Sequence, residues 1–307
     1  MSTQALIEYV GKHHDPQLYC YVLLDPLAIA ATSDQTLLGS LRQALGESAL
    51  TRVWRADLAH SPETLPILAC LVSPGNSLCQ SLLEQTASAA IRDLRRRKRQ
   101  VCAWLFSSAP APATAAYLSS MGRIQNSAGA VGFYPLFEPV RFELYAGAFA
   151  QADQGHWWPI KHWLFLTSGG APARVTGEAQ PRRPIPANAG DGQEETALIE
   201  AVLASWRALR TGPLAQQLTP ITRFAATQAA EHIRHARALG LSAVDDILNL
   251  AVHQLCLHPA LPNHPSVRAM IDSAAQGQRS LGQQFAQYTN ANWKHVTTTL
   301  PAVEVHS

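Results

Sequence analysis

The chain has 307 residues, 47% of them hydrophobic and 15% charged, which is enough apolar material for two cored domains and excludes both a single small module and a wholly disordered chain. Its 24 basic and 22 acidic residues leave a net charge of +2, spread evenly between the two halves, and a dedicated polyanion binder should be more basic. The 49 alanines imply a surface made largely of small, uncharged side chains, which repels partners poorly.

In chain order, the first residues contain no basic stretch followed by an apolar one, and no run of about 18 apolar residues occurs anywhere. A soluble cytoplasmic protein with no signal peptide or membrane span is expected. Residues 18–24 are apolar and end at Asp25-Pro26, the pattern of a buried strand, and 36–45 carry Leu37, Leu38, Leu41 and Leu45 at helical spacing. A helix over 78–99 follows through Leu82, Leu83, Ala90, Ile91 and Leu94, then a buried strand over 101–106 and a helix over 112–121. Aromatic and aliphatic residues at short spacing predict strands over 133–145 and 157–166. Residues 1–168 therefore read as an α/β (or α+β) domain with a small mixed sheet flanked by helices.

Between 169 and 193, Gly169, Gly170, Pro172, Gly177, Pro181, Pro184, Pro186, Gly190 and Gly192 interrupt any continuous element and predict a linker. Residues 194–307 read as all-α. Ile199, Leu203, Trp206 and Leu209 share one helical face before Gly212-Pro213, Thr219-Pro220 reads as the start of a helix running to Gly240, and Ser242 with Asp245 resembles a capping box ahead of the His258-Pro259 stop. Two more helical stretches follow Pro265 and Leu281.

No motif supplies a cofactor site or a catalytic constellation. There is no G-x-S-x-G, no phosphate-binding glycine loop and no C-x-x-C pair. Cys20, Cys70, Cys79, Cys102 and Cys256 read as buried free thiols of a reducing compartment. His232 and His235 diverge around their helix, and His253, His258 and His264 have no spacing that demands a metal, so no metal is expected. An enzyme using His232, His235 and Asp245 or Asp246 is the competing reading from another class.

The strongest charge feature is Arg92, Arg95, Arg96, Arg97, Lys98 and Arg99, six of the 24 basic residues within eight positions. It suits the last turn of an exposed helix, where cations complement the dipole, or a contact with an acidic partner surface. A nucleic-acid regulator would use the same residues, but no stacking aromatics are interleaved with them. Trp157 and Trp158, close to Trp163, are either a recognition patch or core residues of a strand. Arg95, Arg96, Arg97, Arg99, Trp157 and Trp158 are thus the candidate partner contacts.

Residues 18–168 also carry a longer pattern. Leu18-Tyr-Cys-Tyr-Val-Leu-Leu-Asp25, Val53-Trp54, Leu65-Pro66-Ile-Leu-Ala-Cys-Leu-Val72, Cys102-Ala-Trp-Leu-Phe-Ser-Ser108, Phe133-Tyr134 with Phe137-Glu138-Pro139, and Trp158-Pro-Ile-Lys-His-Trp-Leu164 stand in order. Together they resemble the N-terminal domain of bacterial type VI secretion effector adaptors. Gly132 stands where that family has an arginine, Glu138 replaces an aspartate, and the Phe-Tyr and Glu-Pro pieces are separated by an insertion. The resemblance covers about half the chain and does not extend into the helical part. It implies a non-enzymatic adaptor or chaperone without cofactor. Such a protein binds a cognate effector in the cytoplasm and helps load it onto the C-terminal region of the valine-glycine-repeat (VgrG) spike, with no nucleic-acid or membrane partner.

Overall fold

The computed structural model describes residues 1–28, 37–149, 157–179, 185–186, 188–211, 218–220 and 222–301. The chain divides into two units, Met1–Glu194 and Glu195–Ser307. Among the described residues no helix is long and apolar enough to cross a membrane.

In the first unit a six-stranded sheet runs β2-β3-β1-β4-β7-β8. The strands are β1 (Tyr19–Leu24), β2 (Leu50–Arg52), β3 (Ile67–Val72), β4 (Val101–Ser107), β7 (Ile160–Leu166) and β8 (Pro172–Thr176), while β5 (Arg123–Gln125) and β6 (Val131–Phe133) form a separate ribbon. Every neighbouring pair is antiparallel, so the sheet is not mixed as expected. The alternation of strand and helix in the sequence has a simple origin. β3 and β4 both run opposite to β1, one on each side of it, so the chain must cross over between them, and it does so through α3 (Gln80–Arg92).

β1 and β4 are central and covered on both faces, which is why they read as continuous apolar runs. Cys20, Val22, Leu24, Trp104 and Phe106 pack with α3 and with Leu6 and Val10 of α1 (Thr3–Gly11) and Leu37 and Leu41 of α2 (Leu37–Leu45). Tyr21, Leu23 and Leu105 pack on the other side with α4 (Ala111–Met121) and α5 (Pro139–Gly147). Three layers result. The register slips between Leu23 and Leu24, which pair with Ala103 and Val101, so Cys102 is the extra residue of a bulge and points to the same side as Leu105.

Two expectations are corrected here. Residues 133–145 are not one strand: β6 ends at Phe133, and Pro139 opens α5. Proline lacks the amide a central strand must donate but suits a first helical turn, Phe142 and Tyr145 then fall on one buried face of α5, and buried Phe149 follows just beyond its end. Residues 169–193 are not simply a linker, because β8 lies within them. It pairs with β7 from Leu166 opposite Pro172 to His162 opposite Thr176. Gly169 and Gly170, read as part of a break, are the turn of that hairpin, with Gly170 at φ +86° and Pro172 tolerated at the end of an edge strand. Farther on, α6 (Asn188–Glu194) lies against the ribbon, where a Cβ on Gly190 would come within 2.7 Å of the Gln125 carbonyl oxygen. Pro181 and Pro184 lie outside the described residues.

The second unit is helical: α7 (Thr196–Thr211), α8 (Ala225–Ala238), α9 (Val244–Cys256), α10 (Pro265–Ala275), α11 (Leu281–Phe285) and α12 (Asn290–Thr299). Ile199, Val202, Leu203 and Trp206 of α7 and the alanine-rich face of α8 bury against α9. Two caps differ from expectation. α8 starts at Ala225 rather than after Thr219, because Thr219 is engaged elsewhere: its amide and hydroxyl donate to the Cys256 (2.8 Å) and Leu255 (3.0 Å) carbonyls at the end of α9. α9 begins at Val244 without a side-chain cap, and Asp246 instead accepts the Leu281 amide at 2.7 Å, holding the start of α11.

Candidate functional site

The register of the sheet brings distant segments to one end. Leu24 stands opposite Ile67 and Val101, Arg52 opposite Ile67, and Trp104 opposite Leu164. Asp25, residues 53–57, residues 65–66, residues 95–100 and residues 167–170 therefore meet there. Backbone bonds tie them: the Asp25 amide donates to the Gln100 carbonyl (2.9 Å) and the Val53 amide to the Pro66 carbonyl (2.8 Å).

Charged side chains occupy this junction. Asp25 is 1% exposed, accepts the Leu27 amide at 3.0 Å and has Lys98 Nζ at 3.8 Å. Burial raises its pKa above the ordinary carboxylate range, with Lys98 opposing that shift. Lys98 also reaches Glu138 at 3.3 Å, and Glu138 has Arg141 Nε at 3.4 Å. Arg55, 7% exposed, donates to both oxygens of Asp57, at 3.2 Å and 2.6 Å, and holds that carboxyl below its usual range. Its guanidinium lies 5.5 Å from the centre of the Phe137 ring and 5.8 Å from that of Phe133. Each carboxylate of this network faces a cation, an arrangement that fixes loops against one another. Around it Trp54 is 56% exposed, Phe133 is 36% exposed, and Arg95, Arg96 and Arg97 face solvent.

The candidate contacts thus separate. α3 ends at Arg92, a turn of 3-10 helix covers Asp93–Arg95, and the arginines beyond lie on the loop into β4 rather than in a helix's last turn. Buried Asp93 stops the helix there: it accepts the Gln100 amide at 3.1 Å and has Arg96 at 3.3 Å. Arg99 is corrected from surface contact to structural residue, since it is 4% exposed and donates to the Leu166 (2.7 Å) and Thr167 (3.1 Å) carbonyls. Trp157 is corrected likewise, being fully buried against Phe142, Tyr145 and Phe149. Trp158 is 38% exposed but just precedes the start of β7, at the opposite end of the sheet from the arginines. Trp54, Arg55 and Phe133 were not singled out as contacts from composition or spacing. Only Val53-Trp54 and Phe133-Tyr134 within the longer pattern marked their neighbourhood.

The histidines of the helical unit form no such junction. His235 is exposed, with Gln254 Nε2 3.5 Å from its Nδ1, and Asp246 is taken up by the Leu281 amide. Among the described residues no group of three or more His, Cys, Asp or Glu side chains is placed to hold a metal ion.

Burial pushes His232 down to about 4, with His235 adding to the effect. At the far end of the sheet His162 lies edge-on to Phe106 and is also pushed down to about 4, first by burial, then by Arg174, His13 and Lys161, with Asp15 opposing. An unfolded imidazole titrates near 6.5, so between about pH 6.5 and 4 the unfolded chain binds more protons than the native one. This contribution to stability is complete above that window and is lost as pH falls through it. The melting temperature is expected to be lower at about pH 4.5 than at about pH 7.5, with a smaller difference in His162→Phe. An equal fall in the variant would contradict the assignment to His162.

Comparison with protein-family models, with curated proteins and with solved structures finds no match.

Proposed function

We propose that this protein is a non-enzymatic adaptor that binds a cognate effector in the cytoplasm and promotes its loading onto the VgrG spike of a type VI secretion system. One observation carries the reading. Asp25, Trp54, Pro66 and Glu138, far apart in sequence and each part of the pattern that resembles the adaptor family, collect at the same sheet end as the exposed Arg95, Arg96, Arg97 and Phe133. Cations beside accessible aromatic rings suit an acidic, partly apolar protein surface.

Such an adaptor works by mass action. Binding the loading-competent form of the effector stabilises it by RT ln(1 + [L]/Kd), and a second contact with the spike raises the local concentration of cargo there. The test is purification of the tagged chain from its own cells. One effector and the spike's C-terminal region are expected to accompany it, and recovery of neither would overturn the proposal.

A further inference from the structure

The helical unit contains a cavity of about 610 Å³ between α7, α9 and α12, within the roughly 300–1,000 Å³ range of small-molecule sites. Its walls are mainly apolar: Leu209 from α7, Leu218, Val252 and Leu257 beside α9, and Trp293 from α12. Asn290, Thr297, the Tyr288 hydroxyl, His253 and Lys294 are the polar groups among them, and the last two bear most on what could bind. His253 Nδ1 lies 2.7 Å from the Asn249 carbonyl, an acceptor, so the proton sits on Nδ1 and Nε2 carries the lone pair. The ring is fixed between Phe285 at 4.5 Å and Trp293 at 5.1 Å, and burial lowers its pKa, so it is neutral at physiological pH. Lys294 is exposed and is the one residue of the lining with a formal charge; no carboxylate pairs with it among the described residues.

An apolar wall with one unpaired cation beside it selects an apolar body carrying an anion. The neutral His253 ring offers an anion no charge, which leaves Lys294 as its anchor. We propose that this cavity binds an apolar monocarboxylate of medium chain length, its hydrocarbon against Trp293, Leu209 and Val252 and its carboxylate on the Lys294 ammonium. The whole site belongs to the helical unit, so it stands or falls independently of the adaptor reading.

The experiment titrates decanoate, below its micellar concentration, into the full-length chain by calorimetry and by tryptophan fluorescence. Saturable binding is expected, with a fluorescence change that disappears in Trp293→Phe. Lys294→Glu, at an exposed position, should weaken binding about tenfold or more. Ala291→Trp, which fills the cavity mouth from an exposed site on α12, should do the same. Circular dichroism should show both variants folded as the wild type. Decyltrimethylammonium, equally apolar but cationic, should not bind. Absence of saturable decanoate binding, equal binding of the cation, or unchanged affinity in both folded variants would overturn the proposal.

Discussion

Trp157→Ala is expected to destabilise the sheet-bearing unit by about 3–5 kcal/mol, whereas Trp158→Ala is expected to change its stability by about 0.5 kcal/mol or less. The neighbours differ because only the first is core. Trp157 is fully buried and meets Phe142, Tyr145 and Phe149 edge-on, with ring centres 5.2 Å, 5.4 Å and 5.6 Å away. Phe142 in turn stacks on Trp163 at 4.0 Å. Removing the indole leaves a cavity among rigid rings that cannot collapse into it, so both the transfer free energy and the lost contacts count. For a unit of this size the shift in melting temperature is about 6–20 °C. Urea or thermal unfolding of the two variants decides the matter. Equal effects, or a larger effect at Trp158, would contradict the assignment of Trp157 to the core.

Charge reversal in the basic loop is expected to divide the arginines in the same way. Arg95→Glu with Arg97→Glu should leave the melting temperature nearly unchanged, because exposed positions away from the core change stability by about 0.5 kcal/mol. On the proposed adaptor reading, the same double variant should weaken a complex with effector or spike by several kcal/mol, since like charges then oppose each other, and the remaining binding should depend less on salt. Arg99→Glu should instead unfold the chain or nearly so. Its guanidinium serves the Leu166 and Thr167 carbonyls, and a carboxylate in that place would be buried against two acceptors, a cost of about 3–5 kcal/mol or more. A pull-down at two salt concentrations, with a melt as control, reads all three positions. Normal binding by the Arg95 and Arg97 double variant would remove this loop from the interface.

Much of the secondary structure was legible because burial leaves a mark, an unbroken apolar run where both faces are covered and a periodic one where a single face is. β1 and β4 read as strands from unbroken apolar runs, and α7 from Ile199, Leu203 and Trp206 on one face. The α1 helix, with Ser2 accepting the Ala5 amide and Leu6 and Val10 buried, shows only a cap and one apolar i, i+4 pair, whereas α2, of the same length, shows four leucines at helical spacing. Glycine and proline misled where they punctuate a hairpin: the turn before β8 has the composition of a linker and differs only in what it pairs with. Trp157 and Trp158 are adjacent, and no periodicity says which ring turns inward just before a strand. The site itself was the least legible part. Asp25, Arg55 and Glu138 lie far from one another and from the Lys98 cluster in sequence, and only the strand register shows that their loops share one end of the sheet.

The adaptor reading is tested most directly by a delivery assay in cells lacking this gene, read effector by effector. Loss of one effector from the secreted set, with the others and the apparatus intact and delivery restored by the wild-type gene, is the predicted result. Unchanged delivery of every effector would contradict the account, and arrest of all secretion would make the protein a structural component of the apparatus instead.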